Sequence, residues 1–289
     1  MSKHLFPSRF ILTAAVLLAC GAARPDEPCE PCNGMPELCG RPFDQVAFAC
    51  THNGMSSREA GYFFPNQDRR MRRQLEDGIR AVMLDVHVED GRLMLCHGFC
   101  RLGSQTLVEG LVEIREFLDA HPREVVALLV EGSVPDPEHL ARDFRASGML
   151  DLCHAQRLGD PWPTLGEMIA ANRRVVVLYD RNCGDQDWLL PMWKHMWDTP
   201  WYPGSLEEFD CRLDRGEKTN ALLNLNHFLK SQPTPRRHLA LAANSNPFFM
   251  DRVMKCVREI GRIPNFITMD FYEQGDVFSV VEAVNRLKK

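Results

Sequence analysis

The sequence predicts an α/β fold, specifically a single (β/α) barrel of the TIM type that is irregular or incomplete. Stretches with strand character alternate along the chain with helical stripes, an order that produces a parallel sheet covered by helices. Residues 124–132 contain a continuous apolar run, as strands do when both of their faces are buried. No long linker interrupts the 289-residue chain after residue 40, which favours one domain. Roughly six strands are clear, against the eight of a complete barrel.

The predicted elements follow one another in a simple order. Residues 46–50 form the first strand, and a helical stripe of Met71, Leu75 and Ile79 follows, with Gly78 at its end. The remaining elements are strands 81–88 and 93–96, which form a hairpin, a helix from Leu107 to Leu118 stopped by Pro122, strands 124–132, 173–179, 221–226 and 265–270, a helix over roughly 247–260, and a last helix to about residue 287.

The amino terminus predicts export. Basic residues precede an apolar run at 10–19, which is far shorter than the ~20 residues that span a bilayer, so residues 1–19 are interpreted as a signal peptide. The run ends in Leu-Leu-Ala-Cys-Gly and resembles the bacterial lipoprotein processing box, which would make Cys20 the lipidated first residue of an anchored lipoprotein. The alternative is an ordinary signal peptide cleaved after 21–23, giving a secreted protein. Residues 20–31 then form a tether, and residues 32–289 form the barrel.

Charge and cysteine usage narrow the class of protein. A net charge of −5 with interleaved signs gives no electrostatic footprint for nucleic acid, and the basic run at 69–73 is interpreted as a solvated helix face. Eleven cysteines minus Cys20 leave ten, an even number that suits disulfides in an oxidising compartment. Cys29 and Cys32 have the spacing of metal ligands. The sequence offers no second cysteine pair of this spacing to complete a zinc site, so a structural zinc ion is disfavoured. Cys96 and Cys100 flank His97, and a bond between them would hold it in place.

Polar residues concentrate at the predicted carboxyl ends of strands, where barrels of this class carry their active sites. Such a rim offers imidazoles for proton transfer, oxygen ligands for a hard cation and an arginine for a phosphate. The residues concerned are His52, Asn53, Asp85, His87, His97, Glu131, Asp180, Arg181, Asn226, His227 and Asp270.

The sequence resembles the phosphatidylinositol-specific phospholipase C superfamily, in particular the X-type catalytic domain of small secreted phospholipase-like phosphodiesterases. The resemblance spans residue 32 to about residue 285, and it is weak over 133–220. The segments that carry it are THNG at 51–54 and the stretches 66–100, 117–132, 226–228 and 264–277.

The resemblance assigns catalytic roles to three residues. His52 and His97 match the two catalytic histidines of the family. Asp270 matches the carboxylate that orients the first histidine in the metal-independent branch. Arg181 is a weaker candidate for contact with the phosphate or inositol of the substrate.

The resemblance also implies a metal. Asn53, Asp85 and Glu131 stand where the calcium-dependent branch has metal ligands, whereas the metal-independent branch has an aspartate, an arginine and a lysine there. One position departs from the calcium pattern, since Met83 stands where that branch has a glutamate. His87 or water could complete the shell of Ca²⁺, because calcium tolerates variable oxygen coordination and Mg²⁺ is more demanding.

The function implied is cleavage of a glycerophospholipid head group, with phosphatidylinositol as the substrate, by histidine general acid/base catalysis with Ca²⁺ and through a cyclic phosphate. The expected partners are a phospholipid or glycerophosphodiester and a membrane surface, and we expect a monomer. Tryptophans at 188, 193, 197 and 201 could form a membrane-touching rim or a loop packed on the barrel. The alternatives are a glycerophosphodiester phosphodiesterase, which would usually begin with His-Arg-Gly, and an exported binding lipoprotein on a degenerate barrel.

Overall fold

The computed structural model describes residues 30–132, 134–230 and 235–287. Its strands are β1 (Phe48–Thr51), β2 (Ala81–Glu89), β3 (Arg92–Leu95), β4 (Gln105–Thr106), β5 (Val126–Gly132), β6 (Val175–Tyr179), β7 (Leu189–Pro191), β8 (Met196–Asp198), β9 (Leu222–Asn226) and β10 (Phe266–Met269). Its helices are α1 (Met71–Asp77), α2 (Leu107–Ala120), α3 (Pro137–Ala146), α4 (Leu165–Ala170), α5 (Met192–His195), α6 (Arg237–Asn244), α7 (Phe248–Ile260) and α8 (Val277–Asn285).

Eight of these strands form a parallel barrel that is open on one side. Their order is β7-β6-β5-β2-β1-β10-β9-β8, and β3 and β4 extend β2 as an antiparallel hairpin off this path. The two edge strands, β7 and β8, are connected directly by the short helix α5. The predicted barrel is therefore confirmed, and so is its incompleteness. Strands β7 and β8 were not predicted, because three residues are too few to show a period of two.

Alternation along the strands sorts side chains into two apolar layers. On β5, Ala127 and Leu129 belong to the cluster inside the barrel, whereas Val126, Leu128 and Val130 pack under the helices. The next inward position on this strand comes at its carboxyl end, where the interior meets solvent. That position is taken by a carboxylate, and the same holds for the neighbouring strands.

The helix boundaries follow from local chemistry. Thr106 begins α2 with a capping box, in which its side chain accepts from the backbone N–H of Glu109 and the Glu109 carboxylate accepts from the backbone N–H of Thr106. Gly261 ends α7 at a φ of 80°, in the left-handed region that glycine adopts without steric cost. No helix of the described ranges combines the length and apolar character that a membrane span requires.

Of the described cysteines, six form disulfides and three do not. Disulfides join Cys32 to Cys39, Cys96 to Cys100 and Cys211 to Cys256, and three further thiols, at 50, 153 and 183, are buried and unbonded. Of the two arrangements considered for the tryptophans, the packed loop describes most of them, because Trp188 and Trp197 are buried, whereas Trp201 is exposed. The predicted signal peptide, the Cys20 lipidation site and Cys29 lie outside the described residues.

Candidate active site

His52 and Asp270 meet at the carboxyl ends of two neighbouring strands. β1 and β10 pair in parallel with Thr51 opposite Met269, so the residues that follow lie side by side. The Nδ1–H of His52 donates to Oδ1 of Asp270 at 2.9 Å. The ring of Phe228 stacks on the imidazole with centroids 3.7 Å apart. Because Nδ1 carries the proton in this arrangement, Nε2 of His52 is the nitrogen that can accept one.

Two buried amides hold this pair in place. Nδ2 of Asn66 donates to the same Oδ1 of Asp270 at 2.9 Å. Nε2 of Gln67 donates to the carbonyl oxygens of His52 and Met269 at 2.9 and 3.0 Å. Both amides are almost fully buried, so water does not compete for these bonds. The pattern of polar strand ends did not identify either residue, because both lie in the loop between β1 and α1.

His97 is held by a disulfide and by Asp85. The Cys96–Cys100 bond encloses it in a small loop, as their spacing suggested. The Nδ1–H of His97 donates to Oδ2 of Asp85 at 3.0 Å. This hydrogen bond raises the pKa of His97 above its ordinary value, although burial opposes the effect. His97 therefore keeps its proton to a higher pH than a free imidazole would.

Asn53 connects the two histidines. Its Nδ2 lies 3.2 Å from Nε2 of His52 and 3.0 Å from Nδ1 of His97. Its φ of 46° is in the left-handed region, which asparagine tolerates better than most residues, and the backbone N–H of Gly54 donates to the carbonyl of Met83 at 2.8 Å. Both imidazoles thus border the same small volume at the barrel mouth.

The three residues predicted as calcium ligands lie at this mouth, but each is engaged by a protein group. Glu131 accepts from Arg215 and Asp85 accepts from His97, while the amide nitrogen of Asn53 contacts both histidines. Met83, at the position of the missing ligand, is buried in the apolar interior. No set of three or more His, Cys, Asp or Glu within the described parts of the chain is arranged to hold a metal ion. As arranged, these residues do not fit a calcium shell. Calcium binding stays a prediction.

Arg215 lies across the mouth of the barrel. Its Nε and Nη2 donate to Oδ2 of Asp198, at the end of β8, at 3.1 and 2.6 Å. Its Nη1 donates to Oε1 of Glu131, at the end of β5, at 3.0 Å. Its guanidinium also stacks on Trp193, with Cζ 4.2 Å from the centroid of the ring. Four strands of the sheet path separate β5 from β8, so this side chain bridges opposite walls.

Neither Arg215 nor Asp198 is among the residues predicted from the sequence. Arg215 lies in the long connection between β8 and β9, away from any strand end, and in the segment where the family resemblance is weak. Asp198 ends a strand that is too short to predict. Burial raises the pKa of the Asp198 carboxyl, and the hydrogen bonds from Arg215 oppose this rise.

Arg181, the predicted substrate contact, lies at the rim of the same mouth. Its side chain is largely exposed, its Nε lies 3.4 Å from Oδ2 of Asp180, and it donates to the carbonyl of Gly132 at 3.3 Å. Burial raises the pKa of Asp180. Arg181 is therefore placed near the site without direct bonds to either histidine among the described contacts.

His227 has a structural environment. It is fully buried, and its Nε2–H donates to the carbonyl of Ala243 at 3.0 Å. Arg252 donates to its Nδ1 at 3.1 Å. Burial lowers the pKa of His227 well below its ordinary value, so it remains neutral. It does not contribute to the volume between His52 and His97.

The comparisons with known proteins agree on one family. The profile of the PI-PLC X family, described as PI-PLC X 1, matches residues 38–285. A PI-PLC X domain-containing protein 1 of Arthroderma benhamiae is 30% identical over 89% of this chain and 90% of its own length. An uncharacterized secreted protein of the same fungus is 28% identical, and a PI-PLC X domain-containing protein of Arabidopsis thaliana is 26% identical. The chain spans 64% and 63% of the lengths of these last two.

Solved structures show the same fold. The phosphatidylinositol-specific phospholipase C of Listeria monocytogenes aligns with a TM-score of 0.56 and 15% identity over 87% of this chain and 96% of its own. A variant of the Staphylococcus aureus phosphatidylinositol-specific phospholipase C aligns with a TM-score of 0.61 and 12% identity over 86% and 95% of the two chains. At this level of identity the likeness concerns the barrel alone.

Proposed function

The chain belongs to the PI-PLC X family, and from this premise we propose that it is a phospholipase C-like phosphodiesterase that cleaves the head group of phosphatidylinositol. The observation that carries the proposal is the arrangement of His52 and His97. Each imidazole is oriented by its own carboxylate, and both contact the amide of Asn53. Two imidazoles in different hydrogen-bonded settings around one volume suit a base and an acid in a single displacement.

In the proposed reaction, Nε2 of His52 removes the proton from the 2-hydroxyl of the inositol ring. The hydroxyl oxygen then forms a bond to phosphorus while the bond between phosphorus and the glycerol oxygen breaks. Nε2–H of His97 gives its proton to the departing glycerol oxygen. The products are a cyclic inositol phosphate and diacylglycerol, and the enzyme ends with His52 protonated and His97 neutral.

The two settings fit these roles. The base must begin without a proton on Nε2, which the donation from His52 Nδ1 to Asp270 permits. The acid must begin protonated, and the hydrogen bond from His97 to Asp85 raises the pKa of His97 in that direction. Asp85 was predicted as a metal ligand, and we now propose that it acts as the partner of the acid.

Exposed aromatic side chains support a lipid substrate. Phe63 and Phe99 are 71% and 67% exposed, and the backbone N–H of Phe63 donates to the carbonyl of Leu102, in the turn that follows Phe99. Across the mouth, Trp201 and Tyr202 are also exposed. All of them lie on loops at the carboxyl ends of strands, on the side of the catalytic histidines. Aromatic rings of this kind insert well into the interfacial region of a bilayer.

Replacing Phe63 and Phe99 together by serine is expected to lower activity on vesicles about tenfold or more, because each ring contributes roughly 1 kcal/mol or more of apolar transfer to the interface. Activity on a soluble inositol phosphodiester should not change. The control is Leu158→Ser, which also removes an exposed apolar side chain. Leu158 lies near Asn220 and Ala221, which precede β9, and is therefore at the opposite end of the barrel. Equal losses on vesicles and on the soluble diester would contradict a membrane role for the two rings.

We also propose that the protein is exported, anchored through Cys20 or secreted. Three observations support export: the signal-like segment 1–19, the three disulfides, and a relative that is named an uncharacterized secreted protein.

The proposed function is tested by incubating the protein with vesicles of phosphatidylinositol and, separately, of phosphatidylcholine. We expect release of a cyclic inositol phosphate and diacylglycerol from the first and no cleavage of the second. Turnover of glycerophosphoinositol without turnover of the lipid would instead indicate a glycerophosphodiester phosphodiesterase. Vesicle binding without cleavage of any diester would indicate a binding lipoprotein, the alternative that the buried Met83 favours.

A further inference from the structure

We propose that the guanidinium of Arg215, and not a calcium ion, supplies the positive charge that binds the phosphate of the substrate. The inference rests on the proposed function in one respect, namely that the substrate carries a phosphodiester. The position concerned is the place at the barrel mouth where the sequence predicts a metal. The positive charge there would come from a residue of the connection between β8 and β9, which the pattern of polar strand ends did not identify.

Arg215 is linked to the proposed general acid through the rim of the barrel. Arg215 bonds Glu131, and Glu131 lies directly opposite Asp85 in the ladder between β2 and β5. Asp85 in turn accepts from His97. The guanidinium is thus connected to the proposed general acid through two neighbouring carboxylates. A phosphate between His52 and His97 would lie at the same rim of the barrel as this cation.

Arg215 has N–H donors available for a ligand. Nη1 donates one N–H to Glu131, and Nη2 donates one N–H to Asp198. The second N–H of each nitrogen has no acceptor among the described contacts. The side chain is 34% exposed, although its pair with Asp198 lies in a buried setting. A planar guanidinium with N–H groups directed from both Nη atoms can bind two phosphate oxygens at once.

The guanidinium of Arg215 is held in a fixed position. Asp198, with a side-chain exposure of 0%, accepts from Nε, Nη2 and the backbone N–H of Arg215. Trp193 covers one face of the guanidinium, and Asn226 donates to the same carboxylate at 3.1 Å. A charge that is fixed before the substrate arrives needs little reorganisation during the reaction, which is the condition under which electrostatic stabilisation is most effective.

The carboxylates around Arg215 must be reconciled with an anionic ligand. Glu131 holds Arg215 by a single hydrogen bond from Nη1, whereas Asp198 accepts from Nε, Nη2 and the backbone N–H of the same residue. A phosphate that reaches Arg215 can take the place of Glu131 as the partner of Nη1. A calcium ion at this place, by contrast, would share the carboxylates of Glu131 and Asp85 with the positively charged guanidinium of Arg215 and would be repelled by it.

The test is calorimetric binding of inorganic phosphate, which needs no turnover. We expect the wild-type chain to bind phosphate equally in a calcium chelator and in millimolar Ca²⁺, and Arg215→Gln to lose at least tenfold in affinity. The matched control is Arg212→Gln, three residues earlier in the same connection, since Arg212 is 65% exposed and pairs only with Asp210 among the described residues. Arg212→Gln should bind as the wild type does.

A second variant decides the question even if Arg215→Gln does not fold. Glu131→Gln removes the carboxylate that competes for Arg215, so phosphate affinity in chelator should rise severalfold. If Glu131 is a calcium ligand instead, the same substitution should abolish calcium-dependent phosphate binding. The inference is overturned by phosphate binding that requires calcium, by wild-type affinity in Arg215→Gln, or by a Glu131→Gln variant that binds no better in chelator. Arg215-dependent binding without cleavage of any diester would uphold the inference and refute the proposed function.

Discussion

Replacing His52 or His97 by alanine is expected to lower kcat/KM on phosphatidylinositol vesicles by about 10²–10⁴-fold in each case, the contribution of a positioned general acid or base. The double variant should lose much less than the product of the two single losses, because both groups act in one displacement. The measurement is the rate of cyclic inositol phosphate release. His139→Ala is the control, since His139 is an exposed residue of α3 with no side-chain bond among those described.

A change of leaving group separates the two roles. A 4-nitrophenyl diester of inositol phosphate releases an oxyanion that needs little protonation, so His97→Ala should recover most of its activity on that substrate. His52→Ala should not recover, because the attacking hydroxyl still has to lose its proton. In the wild type, the alkaline limb of kcat/KM should reflect His97, whose pKa is raised by Asp85. Asp85→Asn should therefore move this limb to lower pH. Recovery of the His52 variant instead would reverse the assignment of base and acid.

Replacing Asp198 by alanine is expected to destabilise the protein by about 3 kcal/mol, at the lower end of the cost of breaking a buried ion pair. The loss of stability arises because Nε and Nη2 of Arg215 lose their acceptor. The guanidinium meanwhile stays packed between Trp193 and Glu131 and cannot turn freely to water. The loss of stability is limited because Arg215 still bonds Glu131 and because its side chain is partly exposed to water. The measurement is the free energy of unfolding in urea.

Two comparisons make this prediction specific. Asp119→Ala breaks an exposed pair with Arg115 on α2 and should cost less than ~0.5 kcal/mol. Adding Arg215→Met and Glu131→Gln to Asp198→Ala removes all three charges of this network, and the triple variant should be more stable than Asp198→Ala alone, because neither a guanidinium nor a carboxylate is left without its partner. If Asp198→Ala unfolds at the same urea concentration as Asp119→Ala, the pair does not stabilise the barrel mouth.

Much of the candidate site follows from strand alternation. Inward-facing apolar residues lead to His52 directly after β1, to Asp85 on β2 and to Glu131 on β5, and parallel pairing brings these ends to one rim. The expectation that Asp270 lies beside His52 is met by the register of β1 and β10, although 218 positions separate the two residues in the chain. The disulfide around His97 was likewise anticipated from the spacing of its cysteines.

Other partners could not be found in this way. Asn66 reaches Asp270 from a loop, and Phe228 covers His52 from the connection after β9. Arg215 reaches Glu131 from a connection 84 positions away. None of these residues belongs to a repeating pattern, and asparagine, phenylalanine and arginine in loops have many ordinary uses.

The sequence by itself determined the barrel, its apolar interior and the polar residues at its carboxyl rim, because these depend on a period of two along each strand and on the parallel order of strands and helices. Only the tertiary structure decided how the rim residues pair. It connects Asp85 to His97, and it brings Arg215 to Glu131. The physical reason is that a side-chain partner is chosen by distance and burial between loops and strands remote in sequence, and no local pattern records either quantity.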